Sequence, residues 1–219
     1  MGIAPGEPWG DEVGPDPDGV LVVTGEDRDL ARAVGRATRG ALIRFVAAPT
    51  SDVARSVGLG ERPTRDVALP LDCLAFDDGS LAVNAVILGT PPDRLRAVTR
   101  RFPVRVTVDD REAFSGRATT VVVATGEFLR GHDLSPRGHP GDGRAEIQIY
   151  ALPADERRAM RRRLGTGSHL PHGRIIQRTG RRIRIEADRE RPVEADGHAA
   201  APRAGLSVEV VPEAFRLLV

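Results

Sequence analysis

Val121 to Leu152 reads VVVATGEFLRGHDLSPRGHPGDGRAEIQIYAL, and it ends in strands of two kinds. Val121, Val122, Val123 and Ala124 form a continuous apolar run that stops at Thr125-Gly126, a strand closing on a turn. Glu146-Ile147-Gln148-Ile149-Tyr150 alternates polar and apolar residues, the pattern of a half-buried strand. Between them lies a long polar loop with Gly131, Pro136, Gly138, Pro140, Gly141 and Gly143. Long ordered loops between strands are more often functional than plain connections. Asp142 and Glu146 share a cation if this loop folds back; otherwise Asp142-Gly143 is an ordinary turn.

The order Thr125-Gly126, Arg130-Gly131, Pro136 and Gly141-Asp142-Gly143-Arg144-Ala145-Glu146-Ile147 resembles the C-terminal half of bacterial diacylglycerol-kinase-type lipid kinases. That family shares its fold with NAD kinases. Its members have a strand ending in Asn-Gly, a Gly-Gly pair, a Pro and an Asp-Asp-Gly-x-Leu-Asp-Val run. Order and spacing are kept here, while several polar members have changed. The resemblance runs from about Val20 onward and leaves no single motif intact.

A chain of 219 residues can bury a core as one large domain or two small ones. Its net charge of +1 gives no bulk attraction to nucleic acid or to a membrane. All 32 basic residues are Arg, so any phosphate contact must come from guanidinium, backbone N–H or a metal. Cys73 stands alone in an apolar run, which excludes a disulfide framework and a thiolate metal site. The Gly-, Pro- and acid-rich start is unlike a secretory signal, and no apolar run approaches the ~18 residues of a membrane span. A cytoplasmic protein is expected.

Residues 1–18, with Pro5, Pro8, Pro15 and Pro17, have the composition of a disordered lead-in. Residues 19–65 show a strand–helix–strand–helix pattern. Val20 to Val23 is an apolar strand of the parallel-sheet kind. Asp27 or Asp29 can cap a helix carrying Leu30, Ala33, Val34 and Ala37, with Gly40 closing it. Ala41 to Val46 is the next strand, and Thr50 or Ser51 caps a short helix stopped by Gly58.

In the lipid-kinase family this region binds nucleotide. A Gly-Gly-Asp-Gly-Thr turn lets backbone N–H groups approach phosphate. Its counterpart here is Thr24-Gly25-Glu26-Asp27-Arg28, followed by Asp29. A second signature, Pro-x-Gly-Thr-x-Asn-Asp-x-Ala-Arg, appears as Val46 to Arg55, with Asp52, Ala54 and Arg55 matching. The resemblance therefore marks Gly25, Glu26, Asp27, Thr50 and Asp52 as the nucleotide-binding positions. The carboxylates at the first signature should lower its affinity for phosphate. The family also places a βαβα unit before this strand, whereas about 19 residues precede it here, fewer than the ~30 of a βαβ unit. Two parallel strands are too few for an independent sheet, so this remnant lobe must lean on the rest of the chain or on another chain.

Residues 66–219 read mainly as strands. Val67 to Phe76 and Leu81 to Leu88 look like a hairpin about Asp77-Asp78-Gly79. Pro91-Pro92-Asp93 opens a short helix through Leu95, Ala97 and Val98, and further strands cover 104–108 and 117–124. Pro153 and Asp155 start a helix ending at Gly165, and its Arg157, Arg158, Arg161, Arg162 and Arg163 form a solvated basic face or a surface for anionic lipid. Asp196-Gly197-His198 corresponds to the family's Asp-Gly-Glu, whose Asp deprotonates the lipid hydroxyl. Asp196 is thus either the base or simply part of a hairpin turn.

The expected fold is an α/β remnant lobe followed by a β-sandwich-like lobe, similar to NAD kinase and diacylglycerol kinase. The expected function is a lipid-kinase homologue impaired in ATP binding that binds lipid or a partner. The alternative is an active enzyme using Mg and ATP, with Asp142 and Glu146 on the metal and Asp196 as base. A homodimer, or association with a kinase-like chain, would cover the open edge of the first lobe.

Overall fold

The computed structural model describes residues 9–14, 17–59 and 67–219. The first lobe contains β1 (Asp11–Glu12), β2 (Leu21–Gly25), α1 (Asp27–Val34), β3 (Ala41–Ala47) and α2 (Asp52–Val57). Next come β4 (Val67–Phe76), β5 (Leu81–Ala82), β6 (Ala85–Gly89) and a single 3-10 turn at Pro92–Arg94. The chain continues through β7 (Phe102–Val108), β8 (Arg111–Ala118), β9 (Thr120–Ala124), β10 (Phe128–Leu129) and β11 (His132–Asp133). It ends with β12 (Ala145–Tyr150), α3 (Arg157–Leu164), β13 (Ile175–Gly180), β14 (Arg182–Ala195) and β15 (His198–Leu218).

The α/β lobe does lean on the rest of the chain. β2 and β3 pair in parallel, and β3 pairs in parallel with Phe215, Arg216 and Leu217 of β15. Its core joins Val23, Leu30, Ile43, Phe45 and Val53 to Leu71, Cys73, Phe215 and Leu217, so two parallel strands become four with β4. Cys73 is a buried hydrophobe.

The second lobe is sandwich-like. β14 and β15 run as one long hairpin that pairs with β7, β6 and β4 at different points along its length. Val86, Leu88, Val121, Val123, Ile147 and Ile149 face Val104, Val106, Ile183, Ile185, Leu206 and Val208 across the interior. The other face of β6 and β9 (Ala85, Ile87, Val122, Ala124) packs with Leu129, Leu134, Tyr150, Met160 and Leu164. With both faces covered, an antiparallel strand needs apolar residues at every position. This accounts for the unbroken Val121–Ala124 run.

Several expectations are corrected. Residues 1–8 and 15–16 of the expected lead-in lie outside the described residues. Within the rest of it, Asp11 and Glu12 pair with Ala68 and Val67, and the Trp9 ring lies 4.5 Å from that of His139. The 65/66 boundary also lies outside the described residues. The first helix ends at Gly35, not Gly40. The expected hairpin keeps only Leu81–Ala82 against β4, because the chain bends at Val83-Asn84 and β6 joins β9 and β14 instead. The short helix reduces to the 3-10 turn, leaving Val98 exposed. β12 is almost wholly buried rather than half-buried, since β9 and β13 flank it and packed layers cover both faces. No helix among the described residues is long and apolar enough to cross a membrane.

Candidate functional site

In an open α/β sheet, ligands bind beyond the carboxyl ends of the parallel strands. Here those ends are Gly25 and Ala47, followed by the N-termini of α1 and α2. Gly25 has a φ of +133°, and a Cβ there would overlap the Asp29 carboxylate, which folds back to accept the Glu26 N–H at 3.0 Å. Asp27 turns inward and is buried. Its carboxylate accepts the Ser51 hydroxyl at 2.5 Å and the N–H groups of Asp52 at 2.9 Å and Val53 at 3.3 Å. Burial raises its carboxyl above the usual range, against the opposing pull of these donors and with a further push from Asp52. The free amides at the start of α2 are thus already satisfied by an internal anion.

The neighbouring positions are equally engaged. Asp52 accepts the N–H groups of Arg130 at 2.5 Å and Gly131 at 2.8 Å, which fastens the β10–β11 hairpin to α2. Ser51, rather than Thr50, caps α2 by accepting the Ala54 N–H at 3.0 Å, while Thr50 is exposed. Glu26 pairs with His198 Nε2 at 2.9 Å.

Asp196 sits at the tip of the β14–β15 hairpin. Asp196 and Gly197 both have positive φ, the backbone a two-residue turn of this hand requires. Its carboxylate is buried beneath the bend at Val83-Asn84. It accepts three amides, from Val83 at 2.9 Å, Asn84 at 2.9 Å and Ala85 at 3.1 Å. Burial pushes its carboxyl up to about 7 despite those amides, and the charge of Asp27 adds to the rise. The two readings of Asp196 are therefore not exclusive at the level of geometry: it is a turn residue, and its oxygens also bind the strand opposite. Asn84 donates to the Phe128 carbonyl at 2.9 Å, and its Oδ1 has no partner among the described residues. A Cβ on Gly126 would overlap that oxygen, which explains the glycine after Thr125.

Asp142 and Glu146 lie apart from this site. Asp142 accepts the Arg144 N–H at 2.9 Å within its own turn. Glu146 lies on β12 with Thr179 Oγ1 at 3.5 Å, and burial followed by the charge of Asp142 raises its carboxyl. Among the described residues, no three His, Cys, Asp or Glu side chains form a group able to hold a metal. His169 is buried, and burial followed by the charge of His172 takes it down to about 4.

Sequence reasoning missed two sets of residues. Asp72 is buried and accepts the N–H groups of Gly143 at 2.6 Å and Glu213 at 2.9 Å; burial pushes its carboxyl to about 6. The available signal was a single acid inside the apolar run Val67–Phe76. The second set is Arg130 with Asp93 and Glu194. Arg130 holds Asp93 through Nε at 3.1 Å and Nη2 at 2.5 Å, and also bonds Glu194. Burial alone would raise the Asp93 carboxyl, yet the Arg130 guanidinium holds it below the usual range. Nothing in the spacing of 93, 130 and 194 indicates that they meet.

The chain aligns in three dimensions with a diacylglycerol kinase from Bacillus anthracis str. Sterne at a TM-score of 0.73. The two are 19% identical over 91% of this chain and 76% of that one. An NADH kinase from yeast aligns at a TM-score of 0.53, with 14% identity over 92% of this chain and 61% of that one. For an NAD kinase from Archaeoglobus fulgidus the TM-score is 0.50, with 14% identity over 92% and 78%. At these identities the likeness establishes the fold alone. Among the curated proteins, none matches the chain in sequence. Residues 94–219, more than half of the chain, match the family described as the YegS C-terminal NAD kinase beta sandwich-like domain, and the chain belongs to that family.

Proposed function

We propose that this chain is a lipid-kinase homologue impaired in ATP binding, and that it acts by binding lipid or a protein partner. The observation that carries this reading is the Asp27 carboxylate, which occupies the hydroxyl and amides of Ser51, Asp52 and Val53. A nucleotide phosphate at these donors would have to displace a buried carboxylate and then lie beside Asp52 and Glu26. Like charges in a poorly solvated crevice repel by several kcal/mol. The archaeal neighbour's structure is a complex with ATP, so the fold accommodates nucleotide; the objection lies in this chain's side chains.

Among the described residues, no third metal-ligating side chain joins Asp142 and Glu146, so a Mg²⁺ held there would need water and phosphate oxygens to complete its shell. Asp196 fits poorly as a base, because both its oxygens accept backbone amides and its side chain is buried. The competing reading is an active, Mg- and ATP-dependent lipid kinase acting on a diacylglycerol-like hydroxyl. A transfer assay with labelled ATP, Mg²⁺ and diacylglycerol in mixed micelles separates the two. No labelled phosphatidate is expected, and turnover that disappears in Asp196→Asn would establish the active enzyme.

A further inference from the structure

α3 carries its arginines on two faces with different roles. Arg157 points inward, and its guanidinium donates to the carbonyls of Leu152, Arg96, Ala97 and Thr99. This ties the helix to the loop that follows the 3-10 turn. Arg158, Arg161 and Arg162 share the next face, at the i, i+3 and i+4 spacing that brings side chains together. They line a groove of about 300 Å³ with Asp93 and His132.

Charge in this groove is unbalanced. Its acids are spent, because Asp93 and Glu194 are held by Arg130 and Arg94, two carboxylates against two guanidiniums. Among the described residues Arg158, Arg161 and Arg162 form no ion pair, and Arg161 Nε is buried without a hydrogen-bond partner. Asp133 is not among the residues lining the groove, and its Oδ1 has no hydrogen-bond partner among the described residues. A buried guanidinium N–H left unsatisfied is costly, and paired guanidiniums match the oxygens of a phosphate.

We propose that the groove between α3, the Pro92–Arg94 turn and the β10–β11 hairpin binds a phosphate group as its dianion. Arg158, Arg161 and Arg162 supply its donors, and His132 stands at the edge. The dianion is either the headgroup of an anionic lipid or a free phosphate. Only the lipid source rests on the lipid-binding reading above; the groove rests on its own geometry. Asp52 fastens the hairpin that forms one wall of this groove to α2.

Inorganic phosphate titrated into the full chain at low ionic strength, followed by calorimetry, tests the site. Saturable binding is expected. It should be at least tenfold weaker in the double variant Arg158→Gln/Arg161→Gln and unchanged in Arg111→Gln on exposed β8. Circular dichroism checks that each variant is folded. Cosedimentation with phosphatidylcholine vesicles containing phosphatidic acid then identifies the source. Binding that free phosphate reverses supports the lipid headgroup, and saturable phosphate binding without vesicle binding supports a soluble phosphate. Absence of saturable phosphate binding overturns the proposal, as does equal binding by the double variant. Vesicle binding that follows total surface charge and ignores free phosphate overturns it as well. An ATP-dependent activity would remove the reading under Proposed function and leave this site untouched.

Discussion

Asp196 and Asp27 are two buried carboxylates held in the same way. Each takes up several backbone or hydroxyl donors, and each is held above its ordinary carboxylate range by burial. A carboxyl raised in the folded state binds protons that the unfolded chain releases. Its stabilising contribution is therefore complete below about pH 4, the unfolded value, and is lost as pH rises through the folded value of about 7 for Asp196. His169, taken down to about 4, acts oppositely, since its contribution is lost as pH falls below about 6.5. Comparing wild type with Asp196→Asn cancels the histidine. The variant leaves one amide facing an NH₂ group and should cost about 1–3 kcal/mol near pH 5. Urea denaturation should show that penalty shrinking as pH rises to 8, and a penalty independent of pH would contradict the burial of this group. The sequence marked Asp196 and Asp27 as positions of interest. It did not reveal their partners, because the amides they bind belong to residues 25 or more positions away.

At the scale of elements, the strands were legible wherever composition and periodicity agreed. Val121–Ala124 and Ala41–Val46 follow from local pattern, and Ser51 is one of the two caps that pattern offered for α2, Thr50 being the other. The failures lie where tertiary contact overrides it. The Leu81–Leu88 stretch reads as one strand, but Asp196 bends it at Val83-Asn84 and sends its second half to other partners. The arginines of α3 read as a solvated face or a surface for anionic lipid, yet Arg157 bonds carbonyls at residues 96, 97, 99 and 152. Removing that guanidinium should free the 96–99 loop and loosen α3 together. Arg157→Met is expected to lose about 1–3 kcal/mol, since the buried Leu152 carbonyl is left unpaired while those at 96, 97 and 99 are only part-buried. Hydrogen exchange should show faster exchange in residues 157–164. Unchanged protection there would mean that Met160 and Leu164 hold the helix by packing alone.

Among the described residues, thirteen of the fifteen strands form one continuous sheet system, with β10–β11 apart from it, and β15 completes the first lobe. The resemblance identified the two-lobed fold, but not the parallel β3–β15 pairing that joins the lobes. On the far side of the first lobe, β2 pairs only with β3 among the described residues, and Val22 and Val46 are 61% and 53% exposed. An apolar edge strand with an uncovered face tends to recruit another strand or surface. The 219-residue chain is therefore expected to dimerise through β2, with light scattering showing a mass that depends on concentration. Val22→Lys should shift it toward monomer, since a charge on an edge strand opposes pairing. A monomer at high micromolar concentration would exclude this edge as an interface.

The central claim is that the chain's own carboxylates occupy the phosphate cradle. Calorimetric titration of ATP with Mg²⁺ into the full chain tests it most directly. No saturable heat is expected up to millimolar nucleotide, and accordingly no rise in stability, where a ligand at ~100 times its Kd would add about 2.7 kcal/mol. Stoichiometric, Mg²⁺-dependent ATP binding, lost when Ser51→Ala alters the donors around Asp27, would contradict it.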